Sequence, residues 1–189
     1  MTTNMSSSTK SRKPIMIGSG FVTAAVIAFA LFSVLMTSHH VEESERYSEQ
    51  YKKANLSVMF YVTTVLNGTS SEGLSYVTLN RYNALKSIEQ SREAVDYFAK
   101  IHPPLRLSSA IGLVRDAADS ERAFLDAAEK LFRAETESQL EDGISSVKQS
   151  SAGKTSEYGF SNSVAKFMEQ LDKYTNPRYS HEGDFFIWL

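Results

Sequence analysis

The sequence predicts an all-α protein, in which a single N-terminal transmembrane helix precedes an extracytoplasmic, antiparallel four-helix-bundle-like domain. Three observations lead to this expectation. Residues 15–36, IMIGSGFVTAAVIAFALFSVLM, contain no charged side chain. Beyond them, apolar residues recur at the spacings of three and four that are typical of α-helices. Turn signals rich in Gly, Pro, Ser and Asn divide this region into segments, and short connections favour antiparallel neighbours.

Composition and charge exclude several classes of protein. With 189 residues, 42% of them hydrophobic and 22% charged, the chain has the composition of one folded domain plus an anchor. Of the 20 basic residues only Lys10, Arg12 and Lys13 precede Met36, and no acidic residue does. The remainder therefore carries 17 basic against 22 acidic residues, a net charge of −5, which does not suit nucleic-acid binding. The absence of cysteine excludes disulfides, thiolate metal sites and cysteine nucleophiles.

Residues 15–36 are predicted to be an uncleaved signal anchor. As a helix they would extend about 33 Å, close to the ~30 Å hydrocarbon core of a bilayer. A cleaved signal peptide is the alternative, but its apolar region is usually shorter and ends in small residues, whereas this segment ends in Leu35 and Met36. The basic residues on its N-terminal side place residues 1–14 in the cytoplasm as a disordered tip, and the rest outside the cytoplasmic membrane.

Small residues recur at spacing four within the anchor, at Gly20, Ala24 and Ala28. Such a row allows two helix backbones to approach closely in a membrane, so it is a candidate face for self-association. Gly and Ala are also common in membrane helices that do not associate.

The bundle domain is predicted to span residues 37–175, with helices at about 41–66, 72–101, 104–140 and 160–174. In the first helix one face carries Tyr51, Ala54, Val58, Val62 and Val65. The turn NGTSSEG (67–73) follows, with Ser70 or Ser71 as the expected helix cap. HPP (102–104) ends the second helix, because proline disfavours helical geometry in the residue before it. The third helix has the clearest apolar row: Leu107, Ile111, Val114, Ala118, Leu125, Ala128 and Phe132, with Glu121 its only charge.

The sequence offers no recognisable catalytic, metal or cofactor site. The four histidines have no metal-ligand spacing, and neither a nucleophile motif nor a phosphate-binding loop occurs. Glu121 is a candidate buried acid, although a structural ion pair with Arg122, Arg92 or Arg81 is the favoured interpretation. We therefore do not expect an enzyme, and no cofactor is predicted.

The final segment, residues 176–189, ends in five large apolar residues: Phe185, Phe186, Ile187, Trp188 and Leu189. Exposed apolar clusters usually mark a contact. Three contacts remain open: the end of the protein's own bundle, the membrane interface, where Trp and Phe are common, and a groove on a partner protein.

Two functions follow as hypotheses. The first is a non-enzymatic, membrane-anchored interaction or accessory subunit that contacts the bilayer through residues 15–36 and a protein partner, or a second copy, through the bundle and the tail. The alternative is an extracytoplasmic module that binds a small molecule in a pocket lined by Tyr61, Tyr82 and Tyr97.

Overall fold

In a computed structural model of the chain, every regular element among the described residues is helical. The structure describes the backbone of residues 18–150 and 159–175, with side chains from Ser38 onward except that of Tyr174. A short 3-10 turn, Leu105–Leu107, precedes the third helix. The five α-helices are α1 Gly18–Asn67, α2 Ser70–Lys100, α3 Ser108–Phe132, α4 Glu137–Ser150 and α5 Phe160–Thr175. The predicted all-α class is thus confirmed.

The first helix is much longer than the bundle segment predicted at 41–66. α1 is continuous over 50 residues, about 75 Å at the usual rise. A search of the described residues for a helix long and apolar enough to cross a membrane finds none. The side chains of the predicted anchor lie outside the described residues, as do residues 1–17 and the tail 176–189.

Local sequence explains both ends of α2. At its start the backbone N–H and the hydroxyl of Thr69 both donate to Glu72 Oε2, at 3.2 and 2.7 Å, as in a capping box. The cap is therefore Thr69 rather than the predicted Ser70 or Ser71. At its end Ile101 adopts an extended conformation, with φ −60° and ψ 139°, and one residue separates it from the two prolines.

The prediction of one long third helix to Leu140 is wrong, because α3 ends at Phe132 and α4 begins at Glu137. The reason is a second capping signal, TESQ. The Gln139 backbone N–H donates to the Thr136 hydroxyl at 3.3 Å, and the Gln139 side chain accepts from the Glu135 backbone N–H at 2.8 Å. These bonds start a new helix. α4 then packs back on α3, where Gly143 lies directly against Leu131.

The helices form a bundle with one core. α1 packs on α2, α2 on α3, α3 on both α4 and α5, and α5 also on α1. The helix predicted at about 160–174 corresponds to α5, and α4 is an additional helix between α3 and α5. We call the end where α2 ends and α3 begins the proximal end, and the opposite end, which contains the α1–α2 turn, the distal end. The predicted apolar rows of α1 and α3 are fully buried, which confirms them.

Candidate functional site

A surface cavity of about 640 Å³ opens at the proximal end of the bundle, between α1, α2 and the loop that follows α2. We call it the proximal cavity. Its volume lies within the range of about 300–1,000 Å³ that is usual for small-molecule sites. Its wall is formed by Lys100–His102 together with His40, Glu43, Tyr47, Glu93, Asp96 and Tyr97.

Two stacked tyrosines form the apolar part of this wall. The rings of Tyr47 and Tyr97 lie 4.2 Å apart between centroids, at 19°, and the Arg46 guanidinium lies 4.7 Å from the centroid of Tyr47. The Tyr97 hydroxyl is 3.0 Å from the Ser44 hydroxyl and donates to the His40 carbonyl at 3.4 Å. Burial raises the pKa of Tyr97, and the hydrogen bond with Ser44 partly opposes this. The phenol therefore stays protonated at neutral pH.

Carboxylates predominate in the polar part of the wall, where Glu43, Glu93 and Asp96 outnumber the one lysine, Lys100. Glu93 accepts from Gln50 Nε2 at 2.9 Å, and Asp96 accepts from Arg122 at 2.8 Å. Glu43 Oε1 lies 3.7 Å from Arg46. Each carboxylate already has a partner, but an ionised carboxylate has several acceptor positions. The cavity therefore suits a polar or cationic guest better than an apolar one.

The two adjacent histidines of α1, His39 and His40, differ in their surroundings. His39 is exposed and lies 3.6 Å from Glu43, whereas His40 is half-buried in the cavity wall. Burial lowers the pKa of His40, the neighbouring His39 lowers it further, and Glu43 opposes both. At pH 7 His40 is therefore neutral. Among the described side chains, no group of three or more His, Asp or Glu residues is arranged to hold a metal ion.

Four large apolar side chains are exposed on the neighbouring helices α1 and α2, and we call them together the outer apolar patch. On α1 it comprises Leu56, 71% exposed, and Phe60, 65% exposed; on α2 it comprises Leu79, 84% exposed, and Tyr82, 76% exposed. Gln50 bonds to Glu93 across the antiparallel pair. Ten residues further along α1, Phe60 is therefore level with the turn of α2 that contains Tyr82.

The buried acid predicted from the sequence is indeed buried, but its neighbour differs from those considered. Glu121 is 2% exposed, and it lies close to the equally buried Tyr51. Burial raises the pKa of Tyr51, and the charge of Glu121 raises it further, because loss of the phenol proton would place two negative charges side by side.

The three arginines proposed as partners of Glu121 bond to other groups. Arg122 bonds to Asp96 and Asp119, at 2.8 and 2.9 Å. Arg92 bonds to Asp126 and Glu129, at 2.7 and 2.8 Å. Arg81 donates to the Ala134 carbonyl at 2.8 Å and lies 3.7 Å from Glu135.

The tyrosine pocket predicted from the sequence does not form. Tyr97 lines the proximal cavity, but Tyr82 lines a different cavity of about 450 Å³. Tyr61 packs edge-to-face on Phe132, with the centroids 6.1 Å apart. The proximal cavity was missed because its residues come from two helices and a loop, and no single periodicity reveals them.

The other predicted contact residues remain predictions. Gly20, Ala24 and Ala28 lie on the helical backbone of α1, but the surroundings of this row fall outside the described residues. Phe185, Phe186, Ile187, Trp188 and Leu189 also lie outside them. The outer apolar patch had a readable signal, since Leu56 and Phe60 do not belong to the buried row of α1.

Comparison of the chain with protein-family models, with curated proteins and with solved structures finds no match. The functional argument therefore depends on the geometry of this chain alone.

Proposed function

We propose that this protein is a non-enzymatic interaction subunit of the cytoplasmic membrane. Residues 15–36 anchor it in the bilayer with the N-terminus inside, and the antiparallel bundle is displayed on the extracytoplasmic side. The bundle contacts an apolar surface on a protein of the same membrane. The observation that carries the proposal is the outer apolar patch, in which four large side chains are exposed on two adjacent helices of a well-packed bundle.

The anchor is supported by sequence and by helix continuity. The uncharged segment 15–36 has the length of a membrane span, and α1 is helical without a break from Gly18 into the bundle. A continuous helix transmits position more rigidly than a flexible linker. The bundle would therefore be held at a fixed height above the membrane, as a subunit of a larger assembly requires.

The patch is supported by its composition and position. Protein interfaces are enriched in aromatic residues, and a few such anchors supply most of the binding energy. Phe60 and Tyr82 are of this kind, and their exposed area is not needed for the core. Loss of one anchor usually costs at least about 2 kcal/mol, which is about 30-fold in affinity.

The experiment introduces a photo-crosslinking residue at Phe60 of the full chain in its native membrane. A matched probe replaces Gln149, which is exposed on α4. We expect the Phe60 probe alone to form an adduct of defined mass. Phe60→Glu should then remove the same partner from affinity purification in mild detergent, and Gln149→Glu should retain it.

Equal adducts from both probes, or equal recovery of the partner with both glutamate variants, would contradict the proposal. An adduct with the mass of two chains would identify the partner as a second copy. A variant ending at Asp184 tests separately whether residues 185–189 contribute to binding.

The proximal cavity favours a second candidate function, the binding of a small molecule. Its volume of about 640 Å³ and its acidic wall suit a polar or cationic compound. A ligand at 100 times its dissociation constant would stabilise the full chain by about 2.7 kcal/mol. A melting-temperature screen of small organic amines tests this function. The matched variant Tyr97→Ala should abolish any shift, and a shift that it retains would place binding elsewhere.

A further inference from the structure

The loop at the proximal end has an unusual exposed leucine. In the 3-10 turn Leu105–Leu107, Leu107 is 3% exposed and belongs to the core, whereas Leu105 is 89% exposed. Among the exposed large apolar residues of the described chain, Leu105 has the highest exposed fraction. Arg106, the next residue, and Lys100, the last residue of α2, are also exposed.

The fold places this loop close to the predicted anchor. The proximal cavity is lined by His40 of α1 and by His102 of the loop, so the two lie at the same level of the bundle. His40 is only four positions along the helix from Met36, the end of the apolar segment. Four residues correspond to about 6 Å along the helix axis.

This distance matches the headgroup layer of a bilayer. A hydrocarbon core of about 30 Å within a total thickness of about 40–45 Å leaves about 5–8 Å of polar layer on each side. The loop is the connection between the end of α2 and the start of α3, so it forms the surface that faces the membrane. Transmembrane helices tilt by about 20° on average, which can bring one side of this end still closer.

We propose that the loop 101–107 docks on the bilayer, with Leu105 inserted at the boundary between headgroups and acyl chains. The inference rests on the proposed anchor, because the anchor determines how far the bundle lies from the membrane. Leu105 contributes the apolar contact. Arg106 beside it and Lys100 at the end of α2 have long side chains of the kind that lie along the interface with their charges toward phosphate groups. The contact gives the bundle one fixed orientation about α1 and leaves the outer apolar patch free for a protein.

The absence of cysteine from the chain allows a direct test with single-cysteine variants. Leu105→Cys, Leu79→Cys and Phe29→Cys are each labelled with an environment-sensitive fluorophore in the full chain, reconstituted in phosphatidylcholine vesicles. Leu79 is the matched control, because it is 84% exposed but lies near the distal end. Phe29 reports on the anchor. Lipids carry a nitroxide quencher either at the headgroup or deep in the acyl chain.

The inference predicts that nitroxide at the headgroup quenches the label at Leu105 but does not quench the label at Leu79. Nitroxide deep in the acyl chain should quench the label at Phe29. If the labels at Leu105 and Leu79 are equally unquenched while that at Phe29 is quenched, the anchor stands and the docking of the loop is refuted. Equal quenching at both leucines would mean that the bundle lies flat, which also refutes it. No quenching at Phe29 would refute the anchor, and the inference with it.

Discussion

The contact between α3 and α4 gives the sharpest prediction, because two glycines should respond oppositely to the same substitution. A Cβ added at Gly143 would lie 2.7 Å from the Leu131 Cα and 3.1 Å from its Cδ1. The first of these atoms is backbone, so the helices must separate to admit the methyl group. A Cβ added at Gly112, in α3, would meet nothing within 4 Å.

The expected magnitudes follow from two opposing effects. Replacing a helical glycine with alanine gains up to about 1 kcal/mol in helix propensity. Overpacking of a core costs about 1–3 kcal/mol, and contact with backbone places Gly143 at the upper end. Gly143→Ala should therefore lose about 2 kcal/mol net, whereas Gly112→Ala should gain about 0.5–1 kcal/mol.

The assay is thermal unfolding of the full chain in mild detergent, followed by circular dichroism at 222 nm. For a chain of this size, 1 kcal/mol corresponds to a shift in Tm of about 2–4 °C. Gly143→Ala should lower Tm by about 4–8 °C, and Gly112→Ala should raise it by about 1–4 °C. If Gly143→Ala is as stabilising as Gly112→Ala, the close approach of α3 and α4 is incorrect.

Three further predictions concern the core and its charges. Phe98→Ala removes a fully buried ring that packs edge-to-face on Phe160 and Phe167, and should cost about 3–5 kcal/mol by denaturant titration. Because burial raises the pKa of Tyr51 above its ordinary value of 10.0, the unfolded chain loses this proton first. The free energy of unfolding should therefore fall above about pH 10, by up to about 1.4 kcal/mol per pH unit. Tyr51→Phe should remove this contribution to the pH dependence of stability. An unchanged pH dependence would contradict the burial of the phenol. Hydrogen bonds from two arginines lower the pKa of Glu129 below 4.5, so its stabilisation is present above that pH and is lost on acidification. In urea titrations at low salt, Glu129→Gln should lower the free energy of unfolding by about 0.5–1 kcal/mol at pH 7 and by little at pH 3. An equal loss at both pH values would refute an ionic contribution.

The local part of the fold was predictable from the sequence. The row from Tyr51 to Val65 on α1 is buried as expected, and so is the row that begins at Leu107 and continues along α3 to Phe132. A helical period of 3.6 residues fixes which side chains share a face. The prolines also marked the end of α2. The boundary after Phe132, which the sequence analysis did not predict, also has a local signal in the capping sequence TESQ.

The candidate sites were less predictable, because each depends on how helices align with one another. Tyr47 and Tyr97 stack because α1 and α2 are antiparallel with one particular register, and nothing in either helix alone specifies that register. The three tyrosines expected in one pocket fail to meet for the same reason. Glu121 was recognised as a buried acid, but its neighbour Tyr51 belongs to a helix some 70 residues earlier in the chain.

The sequence by itself determined the all-α class, the faces that enter the core and most helix boundaries, since these depend on spacing and on caps within a few residues. The tertiary structure decided which helices are neighbours, that α4 folds back on α3, and where the cavity and the outer apolar patch lie. These features arise from contacts between residues far apart in the chain. Such contacts depend on complementary side-chain shapes, as at Gly143 and Leu131, and no local pattern encodes the pairing of those shapes.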